Sequence, residues 1–292
     1  MGHKVTRLQE GVATAEQILE EGLASDLVVF IHTHGWETPS REGLTLEKAF
    51  SKLKKKGIPV ITYHLDLWFG LERQKDLEED SFYKSLSHFF TVDKLMADWF
   101  NAETKVKGYY IPAAVFQDEA MRLTGNNFQH QIIFVGSSVY HKEWPYRKQL
   151  IDWLKSTYRT FKHIGPGSRY GTVRGMALNR LYSQTKIVIG DSLCINFDYP
   201  YYWSDRIYET IGRGGFIIHP YIEGIETQFE DGKEAVFYKY GDFDDLRNKI
   251  QHYLINNAER EAIRKAGYER VIREHTYKHR WEEILTEVFK DE

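Results

Sequence analysis

The feature that most narrows what this chain can become is an alternation. Short β-branched apolar runs are separated by longer amphipathic stretches, and the pattern runs twice through 292 residues. LVVFIH (27–32) reads as a buried strand bounded by Asp26 and Gly35. A helix over 41–56 follows and stops at Gly57. Its last turn carries Lys54, Lys55 and Lys56, where cations suit the negative end of a helix. IPVITYH (58–64) is the next strand. SHFFT (87–91) and GYYI (108–111) are two more, with a helix over 92–100 between them. The pattern restarts at QIIFVG (131–136). A helix is expected near 145–156, then strands at 159–165 and 186–190 around the helical GMALNRLYSQ (175–184), then strands at 215–219 and 235–238. Three helices, 244–257, 258–275 and 277–289, complete the chain; in the last, Trp281, Ile284, Leu285, Val288 and Phe289 share one face. Strands separated by helices predict parallel sheets with helices on their faces, an α/β fold. The polar stretch RLTGNNFQH (122–130) separates the two patterns and predicts domains at 1–127 and 128–292.

Composition excludes several classes. Charged residues make up 28% and hydrophobic ones 42%, an ordinary globular balance. The net charge of −3 provides no global attraction to nucleic acid or an anionic membrane, which leaves only local basic segments at Lys52–Lys56, Lys142–Lys148 and Arg159–Arg180. The lone cysteine, Cys194, cannot form a disulfide within the chain and reads as a small buried apolar residue. A polar N-terminus and the lack of any apolar run of membrane-spanning length predict a cytoplasmic protein with no membrane span.

Ligands bind open parallel sheets at the carboxyl ends of their strands, and that rule selects the loops to inspect. Gly136-Ser137-Ser138 follows a strand. Small residues there let backbone N–H groups approach a phosphate, and His141, Lys142 and Arg147 stand near in sequence; a plain turn is the alternative. IGPGSRYG (164–171) sets Arg169 and Tyr170 where they can face a nucleotide, and again a turn would look the same. In YWSDRIYETIGRGGFIIHP (202–220), Arg206 and Glu209 fall three apart on a helix that runs into Gly214-Gly215. The carboxylate suits ribose hydroxyls and the guanidinium suits phosphate; a surface ion pair is the bland reading. In the first half, His34 and Asp66 follow neighbouring strands, and a His–Asp combination suits removal of a hydroxyl proton. A zinc site built on His32, His34, His64 and Asp66 competes with that reading. The adjacent acids Asp244-Asp245 and Glu78-Glu79-Asp80 read as helix starts or faces.

From YSQTKIVIGDS through SDRIYETIGRGGFIIHPYIEGIETQFEDGKEAVFYKYGDFDDLRNKI the chain resembles the glycosyltransferase group 1 superfamily, most closely its spore-maturation-type branch. The residues that carry the resemblance are Arg206, Glu209, Gly214, Gly215 and Glu230 to Glu234. Behind them come Ala266, Gly267, Arg270, His275, Thr276, Tyr277 and Arg280 in the final paired helices. The likeness covers 128–292. It implies a GT-B fold, two Rossmann-like domains facing across a cleft, with a reduced N-terminal domain and a last helix that crosses back to it. It implies a nucleotide-sugar donor, a UDP-sugar, held mainly by the C-terminal domain, with no metal and no cofactor besides the donor. Glu209 would hold the ribose; Arg206, with Gly136, Ser137 and Lys142, would stabilise the leaving diphosphate. Where the larger group has an acid seven positions before the ribose-binding one, this chain has Tyr201 or Tyr202. The expected function is sugar transfer to a hydroxyl of a glycan, a metabolite or a hydroxymethylated DNA base. A nucleotide-sugar-binding protein or an epimerase of the same fold is the alternative.

Overall fold

The structure is a computed structural model that describes residues 2–32, 36–72, 81–123, 127–139 and 141–290. The chain divides into two compact units, one of residues 1–112 with 282–292 and the other of 113–281. The polar stretch 122–130 therefore lies inside the second unit.

The first unit is a parallel sheet of β1 (Val28–Val29), β2 (Val60–His64), β3 (His88–Thr91) and β4 (Lys107–Tyr110), in that order across the sheet. Its helices are α1 (Ala15–Leu23), α2 (Leu46–Lys55) and α3 (Lys94–Glu103). The core is aromatic: Phe50, Phe82, Phe89 and Phe100 are buried, and the rings of Phe89 and Phe100 stack at 4.0 Å. The first strand is shorter than LVVFIH predicts because it is an edge, with Val29 and Ile31 exposed. Helix α1 was not expected. Thr14 accepts from the Gln17 N–H while the Gln17 side chain accepts from the Thr14 N–H, a complete capping box. Helix α2 ends ahead of Gly57, as its sequence predicts, and Lys54 reaches the carbonyl of Leu86.

The second unit is also parallel. Its strands are β5 (His130–Val135), β6 (Phe161–Ile164), β7 (Thr185–Ile189), β8 (Ile217–Pro220) and β9 (Val236–Tyr238), ordered β6-β5-β7-β8-β9. The helices are α4 (Tyr146–Thr157), α5 (Gly175–Ser183), α6 (Arg206–Gly212), α7 (Phe243–Ile255), α8 (Asn257–Glu274) and α9 (Tyr277–Val288), whose end belongs to the first unit. Ile133, Ile164, Leu178, Tyr182 and Val188 form a buried cluster. Asp242, which with Asp244 spells Asp-x-Asp, caps α7 by accepting from the Asp244 and Asp245 N–H groups. Helix α8 comes so close to the chain before β9 that a methyl group on Gly267 would overlap the Glu234 carbonyl. His275 and Arg280 lock the next corner. Arg280 donates to His275 Nδ1 and to the Ala113 carbonyl, and His275 Nε2–H donates to Gln228. Among the described residues no helix is long and apolar enough to cross a membrane.

Candidate functional site

The strand order of the second unit makes its ligand crevice a matter of topology. Counted from its first strand, the order is 2-1-3-4-5, so the direction of winding reverses between β5 and β7, and a doubly wound sheet binds at that point. The chain leaves β5 at Val135-Gly136 and β7 at Ile189-Gly190-Asp191.

Arg206 spans the two strand ends. Its Nε donates to the Val135 carbonyl at 2.9 Å and its Nη1 to the Asp191 carbonyl at 2.7 Å. The guanidinium lies 5.3 Å from the Phe134 ring centre. Gly136 adopts φ +146°, and a Cβ there would sit 2.7 Å from Arg206 Nη2, so both the backbone and the cation require glycine. Arg206 does not pair with Glu209. Glu209 instead accepts from Arg213 Nε at 2.5 Å, one helical turn further on. Arg213 is buried and also binds Asn179, at 2.5 Å, and Glu119. Burial lifts the Glu209 carboxyl above its ordinary value, and Arg213 opposes the shift. The carboxylate stays partly open, its side chain 24% exposed.

Behind the strand ends lies a polar layer that the sequence pattern does not reveal. Asp191 is fully buried and accepts from Arg147 Nε (2.6 Å), Trp144 Nε1 (3.3 Å) and the Tyr240 hydroxyl (2.9 Å). Arg147 is therefore a structural partner of Asp191 rather than a loose cation for a diphosphate. Beside it, His219 Nδ1–H donates to Pro220 and its Nε2 accepts from the Ser192 hydroxyl, which also receives the Ser204 N–H. That pattern fixes the neutral ring, and burial holds its pKa at about 4. Between Ser192 and Ser204 the chain strains: Asn196, Phe197 and Tyr201 have φ of 55°, 62° and 51°. Such outliers cost of order 1–3 kcal/mol each and persist where the surroundings impose them. Tyr201 lays its ring against Gly224.

The other expected residues are placed as follows. The Gly136 and Ser138 N–H groups are already bonded, to the Ile164 and Pro166 carbonyls, and the Ser137 hydroxyl donates to Val139. All three residues are half-buried, and Lys142 is exposed. Arg169 donates to the Tyr170 hydroxyl and stacks on its ring at 4.8 Å, on an exposed loop. Gly214 (φ +79°) and Gly215 are buried and end α6, with Gly215 against Thr210. In the first unit, Asp66 Oδ1 accepts from the Leu67 N–H, while His34 and Glu78-Glu79-Asp80 lie outside the described residues. His32, two residues before His34, holds Glu10 at 2.5 Å. Among the described residues no group of three or more His, Cys, Asp or Glu side chains could hold a metal ion. Cys194 is buried, its thiol pushed up to about 11.

A family model described as glycosyl transferase-like matches residues 129–286, more than half of the chain. The chain belongs to that family. Its architecture is GT-B, matching solved glycosyltransferases at low identity. An alpha-glucosyltransferase in complex with UDP-glucose and DNA containing an abasic site matches with a TM-score of 0.64 at 12% identity, over 94% of this chain and 83% of that one. Anabaena HepE in complex with UDP-glucose matches at 0.62 and 11%, over 90% and 78%. A Rickettsia africae glycosyltransferase matches at 0.59 and 15%, over 95% and 81%. A comparison with curated proteins finds no match.

Proposed function

We propose that this glycosyltransferase moves a sugar from a UDP-sugar to an acceptor hydroxyl and that the donor sits at the β5/β7 switch point. The observation that carries the reading is that one short helix holds both Arg206, fixed on the two strand ends, and the partly open Glu209 carboxylate. Two of the matched structures hold UDP-glucose. Glu209 accepts from the ribose hydroxyls. Gly136, Ser137 and Ser138 form the wall beside the diphosphate. The Arg206 cation lies where negative charge grows as the bond between the anomeric carbon and the diphosphate oxygen breaks, and a donor already fixed there loses no energy to reorganisation. The incoming hydroxyl forms the new glycosidic bond as UDP departs, and gives its proton to His34. Asp66 and His34 serve the acceptor side. No divalent metal is required, since Arg206 and Lys142 supply the countercharge. The acceptor range extends to DNA bearing hydroxymethylated bases, by analogy with the DNA-bound alpha-glucosyltransferase.

Incubation with UDP-glucose alone separates this from its rivals. Slow release of UDP and free glucose is the expected result. Epimer formation would make the protein an epimerase, and tight binding without any turnover would make it a binding module; either result overturns the proposal.

A further inference from the structure

Part of the second unit is not explained by donor binding. From Trp153 to Gly190 the chain carries seven of its 39 lysines and arginines and none of its 42 acids. This acid-free segment comprises the end of α4, the edge strand β6, the loop after it, α5 and β7. Lys155, Arg159, Arg169, Arg174 and Arg180 are exposed, and Lys162 is half-buried. Two of the cations, Lys162 and Arg169, meet at one ring. Lys162 Nζ donates to His130 Nδ1 at 3.1 Å and lies 5.8 Å from the centre of the Tyr170 ring, while Arg169 covers the same ring at 4.8 Å. Tyr170 is 41% exposed and so presents an aromatic surface between two positive charges.

We propose that this edge of the second unit docks the phosphodiester backbone of duplex DNA. Apart from Lys162 and Arg169, which meet at Tyr170, the exposed cations are distributed over the end of α4, the turn before the edge strand, the loop after it and α5. That arrangement suits an extended polyanion with evenly spaced charge, not a single phosphate. An anionic bilayer is the competing extended surface, but a membrane-seated face needs a broad apolar side. The large hydrophobic side chains exposed in this segment, among the described residues, are Tyr170 and Met176. Because the whole chain is net negative, repulsion elsewhere favours approach by this edge. The proposal deepens the sugar-transfer reading by naming a DNA acceptor, and DNA binding is measured apart from donor binding so that each can fail alone.

The test is fluorescence anisotropy of a labelled duplex at several salt concentrations, with the full chain and with an Arg159→Ser/Arg174→Ser/Arg180→Ser variant. The wild type should bind, and the variant should lose tenfold or more in affinity at low salt. Its salt dependence should be shallower by roughly 0.9 for each phosphate that the variant no longer neutralises. Thermal stabilisation by UDP-glucose should be the same in both. Arg159→Glu alone should weaken binding in the same direction, which covers the case of a poorly folding triple variant. Three results overturn the proposal: no binding by the wild type, binding indifferent to these substitutions, or stronger binding to phosphatidylserine vesicles than to the duplex.

Discussion

At the scale of single residues, the second unit depends on buried polar groups whose partners are far away in sequence. His219 is one. Its Nδ1–H is committed to Pro220 and its Nε2 to the Ser192 hydroxyl, so a second proton has no place to go without breaking one bond. Burial lowers its pKa from 6.5 to about 4. The unfolded chain takes up that proton first as the pH falls. Stability from this group is therefore complete above about 6.5 and is lost as the pH drops toward 4, a loss on the order of 3 kcal/mol. His275, kept neutral by burial and by the neighbouring Arg280 cation with a pKa of about 3, adds to the loss, which for this ring continues as the pH falls toward 3. NMR should show the His219 ring neutral, with the proton on Nδ1, down to pH 5. A ring that titrates near 6.5 would mean that the Ser192–His219–Pro220 chain is not formed. None of this is legible in the sequence. Asp191 is one acid after one strand, and its partners Trp144, Arg147 and Tyr240 lie more than forty residues away, where no spacing rule reaches. The helical spacing that groups Arg206 with Glu209 equally allows Glu209 to pair with Arg213, and only the tertiary structure, with two strand ends in reach of Arg206, decides between them.

At the scale of elements, most of the fold can be read directly, because hydrophobic period is a local property. The strand QIIFVG appears as β5, the helix near 145–156 as α4, and the three terminal helices begin and end within a few residues of expectation. The misses have local causes. The capping box Thr14-x-x-Gln17 marks the start of α1, a helix of nine residues that bury only Ala15, Ile18 and Gly22. Several residues of the family resemblance also turn out to hold elements together. Gly267 lets α8 reach the Glu234 carbonyl, and His275 packs its ring against Tyr208 and Phe229. Gly267→Ala should therefore destabilise the protein by about 1–3 kcal/mol, the usual cost of an overpacked buried site, in urea denaturation. An unchanged midpoint would show that α8 can shift away freely and that the close approach is not required.

At the scale of the whole molecule, the proposed function rests on one arrangement. A doubly wound sheet reverses its winding between β5 and β7, and one short helix sets Arg206 on both strand ends and carries Glu209. The parallel α/β character is legible from the alternation of strands and helices, and the proposed donor position follows from the strand order. The most direct measurement is titration calorimetry of UDP-glucose against the wild type, Glu209→Ala and Glu209→Gln. The glutamine variant keeps an oxygen for Arg213 and so separates lost recognition from lost structure. The wild type should bind, and both variants should bind more weakly by about 1–3 kcal/mol, since the ribose hydroxyls lose a charged acceptor. Wild-type affinity in both variants, with circular dichroism showing an intact fold, would contradict the placement of the donor beside Glu209.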